Sequence, residues 1–283
     1  MITIKNDILT AEISETGAEL QSVKTADGRE WLWNGDKTYW TGRAPVCFPI
    51  CGGLKDDQFI YNGKKYTLGK HGFARKSVFN VGSVWESGAV LTLASSEATK
   101  EMYPFDFLLM VIYELDGNSI KVTYKVENTG SETMFFSLGG HEGYMTPEGI
   151  EDYKVVFDRP ETLRAYILDG NLLEHNYITV LENKTEFPLL DRYFEVDALV
   201  FKHIDSHGVT LVNKSGDRKI NVKFDGFGYF LLWHKHGAPY ICLEPWAGVQ
   251  DPVDTDQILE TKEGINYAVP GETFERSHTI TFG

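Results

Sequence analysis

Alternation of apolar and polar side chains is the feature that most limits what this chain can become. Ile120, Val122, Tyr124 and Val126 take turns with Lys121, Thr123, Lys125 and Glu127, the two-residue period of a strand with one buried face. Further short apolar runs at 209–212, 220–224, 229–233 and 240–243 repeat the signal. Turn chemistry separates them. Asn62-Gly63 predicts a two-residue hairpin over 59–66, and Asp116-Gly117-Asn118 and Asn128-Thr129-Gly130 predict further turns. Helix signals are few: residues 95–102 predict a short helix stopped by Pro104, and residues 254–260 another before Gly264. Strand–helix alternation of the kind that builds a parallel sheet is missing. The expectation is an all-β fold, a large antiparallel β-sandwich with a few short helices.

The chain has 283 residues, of which 42% are hydrophobic and 24% charged, enough for one sizeable core. No linker-like stretch divides it, so a single domain over 1–283 is expected. A net charge of −14 argues against nucleic acid or an anionic membrane as partner, because both reward clustered Lys and Arg. The most apolar run, 108–113, is far short of the roughly 20 residues that span a bilayer. The opening residues read straight into a strand without a basic leader or apolar stretch, and three cysteines make no disulfide framework. A cytoplasmic protein is expected, either monomer or homodimer.

Three polar residues stand in places that packing alone does not explain. His71 in Gly69-Lys70-His71-Gly72 and His141 in Gly139-Gly140-His141-Glu142-Gly143 are wrapped in glycine, which lets a ligand approach the backbone closely. Glu244 follows the apolar run 240–243 and precedes Pro245-Trp246. Partial desolvation there raises a carboxyl pKa toward that of a useful base, and Trp246 offers an apolar face to a sugar ring. The segment 43–53 forms a rigid apolar loop with one guanidinium, Arg43. Its Cys47 and Cys51 lack the second ligand pair of a structural zinc site. His234 and His236 alternate on a strand as a metal-binding pair does in a cupin, but Glu244 follows too late for that pattern. His175, His203, His207 and His278 read as solvated or core-edge histidines.

The order Arg43, His71-Gly72, His141 in a glycine-rich turn, Asp197 to Phe201, then Leu243-Glu244-Pro245-Trp246 resembles the aldose 1-epimerase (galactose mutarotase-like) family, in a divergent bacterial branch. The resemblance implies a supersandwich with a sugar held in a groove on one sheet. It further implies His141 as general acid on the ring oxygen, Glu244 as general base on the C1 hydroxyl, and His71 as a polarising group near the ring oxygen. Arg43 and Asp197 match positions that contact sugar hydroxyls, with Arg75 and Trp246 as additional substrate contacts. The implied reaction interconverts the α and β anomers of a free hexose and requires neither metal nor organic cofactor. Alternatives are a hexose-6-phosphate 1-epimerase using Lys70, Arg75 and Lys76 to hold the phosphate, a noncatalytic carbohydrate-binding module, and a metal cupin.

Overall fold

Residues 1–283 are described by a computed structural model, in which 15 strands share one antiparallel sheet. The strand Ser119–Asn128 sits within it, between Phe107–Asp116 and Thr273–Phe282. Its Ile120, Val122, Tyr124 and Val126 are buried, as their alternation requires. The runs at 209–212, 220–224 and 229–233 are strands as well. Smaller sheets border this one. Ile2–Lys5, Leu9–Ile13 and Leu20–Thr25 form three strands, and Gln58–Tyr61 pairs with Lys64–Thr67 across Asn62-Gly63. Both residues of that turn have positive φ, the geometry that the Asn-Gly pair favours.

The large sheet closes over its own apolar face. Phe48, beside the strand Val46–Cys47 at one end of the strand order, meets the ring of Phe107 near the other end at 5.1 Å. A cluster of 65 buried residues, from Ile2 to Phe282, fills the space between. Helix is confined to Glu97–Met102, capped by Ser96, and a few single turns. No helix is long and apolar enough to cross a membrane.

Two expectations fail here for physical reasons. Residues 254–260 do not form a helix; a single turn, Leu259–Thr261, is all that is helical. The polar side chains of the segment satisfy backbone groups locally: Gln257 N–H donates to Thr255 Oγ1 and Ile258 N–H to Asp256 Oδ1, which competes with helix formation. His278 is not at a core edge. It is fully buried, and its Nε2 lies 3.0 Å from Glu142 Oε1, a contact that crosses the core between two faces of the sandwich. Leaving one member of such a pair alone strands a buried polar group. His278→Ala is therefore expected to lower the unfolding free energy by about 3–5 kcal/mol, read from urea denaturation. Replacing His278 and Glu142 together by leucine is expected to recover much of that loss.

Candidate active site

The strand Tyr240–Ala247 is buried along its whole length. Ile241 and Leu243 belong to the main core, while Cys242 and Trp246 pack in separate small clusters on the other face. Glu244 shares that second face by alternation. It thus lies in mid-strand rather than after the strand, as its sequence context had implied. Antiparallel to it run Leu138–Gly140 and Glu142–Met145, with Gly139 opposite Trp246 and Glu142 opposite Leu243. His141 falls between them, opposite Glu244. A Cβ at Gly139 would stand 2.3 Å from Trp246 Cδ1, so only glycine permits this approach. The Trp246 indole N–H donates to Gly140 O at 3.0 Å and fixes the turn that carries His141.

His71 arrives from a separate loop. Its backbone is left-handed, with φ +63°. Its N–H donates to Gly52 O at 2.8 Å, and Gly52 N–H returns a bond to His71 Nδ1 at 3.1 Å. With Nδ1 accepting, the neutral ring carries its proton on Nε2 as a donor. The His71 ring stands 5.4 Å from that of His141, edge to face.

These residues line one cavity of about 560 Å³, within the range of small-molecule sites. His71, His141, Glu244 and Trp246 share its wall with Asp197, Lys70 and Arg75. Asp197 is left-handed too, φ +79°, and pairs with Lys70 at 3.9 Å. Such strained backbone at a cavity wall is a mark of functional loops. Trp40 and Trp233, neither singled out in the sequence, also line it, and Trp40 stacks on His141 with ring centroids 5.1 Å apart. Their signal was absent locally, since each tryptophan reaches the cavity only through the fold. Trp246, by contrast, is buried, with its N–H occupied. The more accessible rings are Trp40 and Trp233.

Arg43 does not join the cavity. Its guanidinium donates to Gln21 O at 2.6 Å, and its backbone N–H is held by Glu19. The carbonyl of Gln21 is a ready acceptor on the neighbouring strand, and the side chain ends there. His234 and His236 do not converge with Glu244 as a cupin requires. Both bind the single carboxylate of Asp191, at 2.8 Å each. The donor atoms that do gather are those of His141, Cys242 and Glu244, all within 4.8 Å of one another. Zinc accepts such a mixed set, and two of its three members are His141 and Glu244, which also face each other directly.

His141 Nε2 and Glu244 Oε2 stand 3.5 Å apart. Neither His141 Nδ1 nor Glu244 Oε2 has a hydrogen-bond partner. Burial pushes the Glu244 carboxyl well above the usual carboxylate range, with the neighbouring Cys47, Glu142 and Asp197 adding to the rise and Lys70 opposing it. Burial pulls His141 down to about 3, helped by the positive charges of Lys70 and Arg75. His71 is lowered well below the ordinary imidazole value for the same first reason, with His141 and the same cations contributing. Desolvation therefore drives the His141–Glu244 pair toward a state that holds one proton and no net charge.

The sequence profile of the aldose 1-epimerase family matches residues 1–253. Protein LacX of Lactococcus lactis is 33% identical over 99% of this chain and 98% of its own length. A galactose mutarotase related enzyme from Lactobacillus acidophilus superposes with a TM-score of 0.96 at 33% identity, covering 100% of this chain and 97% of its own. A protein of Escherichia coli K12, provisionally named a glucose-6-phosphate 1-epimerase, is 28% identical over 49% of each chain.

Because the Arg43 guanidinium serves the scaffold, Arg43→Ala is expected to leave ligand affinity in the cavity unchanged. It is expected to reduce stability by about 1 kcal/mol through the lost hydrogen bond. Calorimetric titration and thermal unfolding of the same variant separate the two effects.

Proposed function

The chain belongs to the aldose 1-epimerase family, and we propose that it interconverts the α and β anomers of a free hexose by acid–base opening and closing of the sugar ring. The observation that carries this reading is the pair His141 and Glu244, 3.5 Å apart, buried, otherwise unpartnered and facing one cavity. The C1 hydroxyl and the ring oxygen share one carbon, so a donor and an acceptor this close can address both. Glu244 as carboxylate takes the proton from the C1 hydroxyl. His141 as imidazolium gives its proton to the ring oxygen as the bond from C1 to that oxygen breaks. The product is an open-chain aldehyde, a neutral imidazole and a protonated carboxyl. Rotation about C1–C2 presents the other carbonyl face, and closure returns both protons.

The pair thus carries one proton through the whole cycle. Ring opening converts an ion pair into two neutral groups, the direction that burial favours. His71, with a proton on Nε2, donates toward the ring oxygen and limits the charge that builds there. Asp197 binds sugar hydroxyls, with Arg75 and the indoles of Trp40 and Trp233 completing the contact. No cofactor enters this scheme. On this reading the 283 residues are one cytoplasmic catalytic domain acting on a neutral sugar.

A second reading, a hexose-6-phosphate 1-epimerase, is favoured by Lys70 and Arg75 in the cavity wall. Both are good partners for a phosphate, and the acid–base chemistry would be unchanged. Rates on a free hexose and on its 6-phosphate separate the two readings.

Two outcomes test the mechanism. Glu244→Gln and His141→Gln are each expected to lower catalysed mutarotation by about 10²–10⁴-fold, with the double variant little worse than either single one, since both act in one proton transfer. Polarimetry with the spontaneous rate subtracted measures this. The pH dependence has a definite sign as well. The active pair holds one proton, so activity falls in acid when a second proton enters and falls in alkali when the one proton leaves. With His141 lowered to about 3 and Glu244 raised, kcat/KM is expected to hold well into acid before the second proton enters. An acid limb at the ordinary imidazole value of about 6.5 would contradict the lowered His141.

A further inference from the structure

We infer that Gln250 determines specificity in this cavity: its side-chain amide reads a hydroxyl of the sugar that does not react, and so favours a hydroxyl over a phosphate at that end of the ligand. The inference rests on the sugar reading above. Gln250 is buried, lines the cavity, and its Oε1 has no hydrogen-bond partner. A buried amide oxygen left unpaired is costly, and native proteins rarely tolerate one without a use. A sugar hydroxyl supplies the missing donor.

The residue is also held in place more firmly than an ordinary loop residue. The buried ammonium of Lys262 donates to Val249 O at 2.6 Å and pairs with the Asp251 carboxylate Oδ1 at 2.8 Å, so it holds a backbone carbonyl on one side of Gln250 and a side chain on the other. Asp251 N–H donates to Gly53 O at 2.9 Å, and Asp251 O accepts from Leu173 N–H at 2.8 Å. Its second carboxylate oxygen accepts from Lys55 N–H at 3.0 Å. A site that must discriminate by geometry needs such support. The side chain lies against Gly52, where a Cβ would stand 2.5 Å from Gln250 Cβ. Gly52 is the residue whose N–H orients the His71 ring. One glycine therefore fixes the spacing between the reader and the reacting end of the cavity.

The chemistry of the amide selects the ligand class. An amide offers an acceptor oxygen and a two-proton donor side by side, which suits a hydroxyl that can both give and take a hydrogen bond. A phosphate dianion only accepts, and would leave Oε1 unmet and repelled.

The test compares wild type with Gln250→Ala and Gln250→Glu on a hexose, its monodeoxy analogues and its 6-phosphate. Gln250→Ala is expected to lose about 10–100-fold in kcat/KM on the hexose, mostly through KM. For one monodeoxy analogue, wild type and variant are expected to be equal, because the partner hydroxyl is already gone. Gln250→Glu, which keeps an acceptor, is expected to retain more activity on the hexose than Gln250→Ala and to worsen on the 6-phosphate. A uniform loss across every analogue, or no loss on any, overturns the inference. If wild type accelerates no aldose, the catalytic reading itself fails. Calorimetric binding of the same sugars to wild type and Gln250→Ala then still decides the question, and equal affinities throughout overturn the role of Gln250.

Discussion

One strand register underlies the site. The strand Tyr240–Ala247 runs antiparallel to residues 138–145, so that Glu244 meets His141 directly across the ladder. Directly opposed side chains on one face of a sheet are its closest neighbours. A slip of one residue would turn Glu244 into the apolar core and bring Leu243 to the cavity. Glycines at 139 and 140 and the Trp246 bond to Gly140 O hold the register where it is needed. The geometry of the His141–Glu244 pair is thus set by backbone pairing within a buried sheet, and loops add His71, Asp197 and Gln250 around it.

The same register places a second ionisable pair on the opposite face. Glu142, next to His141, points into the core and meets His278 from the other layer. Glu142 Oε2, His278 Nδ1 and the Tyr144 hydroxyl lack partners there, a polar patch where apolar side chains would pack with less penalty. Residues 138–145 therefore contribute to an ionisable pair on each face: His141 with Glu244 on one, and Glu142 with His278 of the strand Thr273–Phe282 on the other. The pair toward the cavity is open to a ligand, and the other is sealed between the layers. Glu142 still acts on the cavity, since its charge adds to the rise of the Glu244 carboxyl.

How much the sequence revealed depended on whether the deciding signal was local. The half-buried strand Ser119–Asn128 announces itself by alternation, and Asn62-Gly63 specifies its turn from its own conformational preference. His71 and His141 were visible because glycine around a polar residue is a local anomaly. Glu244 is unusual in its sequence context, but its position in mid-strand is hidden there. A strand buried on both faces reads as a continuous apolar run, and Glu244 looked like its end. His278 sits in the polar-rich segment Arg276-Ser277-His278-Thr279, and its burial comes from a partner on another layer. Trp40, Trp233 and Gln250 likewise acquire meaning only from residues far along the chain. Arg43 went the other way: its motif suggested a ligand, but a nearby carbonyl claimed it.

The charge pattern bears on the substrate. The chain carries −14 overall, yet the cavity wall holds Lys70 and Arg75 beside Asp197 and Glu244. Those cations depress His141 and His71, while Lys70 also opposes the rise at Glu244. The two cations thus act on the electrostatics of His141 and Glu244 whatever the ligand. Lys70 further spends part of its charge on Asp197. A phosphate would have to compete for that ammonium in a protein whose long-range field repels anions. A neutral sugar faces neither obstacle. The wall that the proposed sugar would meet holds the rings of Trp40 and Trp233, the Asp197 carboxylate and the unpaired amide oxygen of Gln250, a mixture of apolar and polar surface of the kind a hexose itself presents.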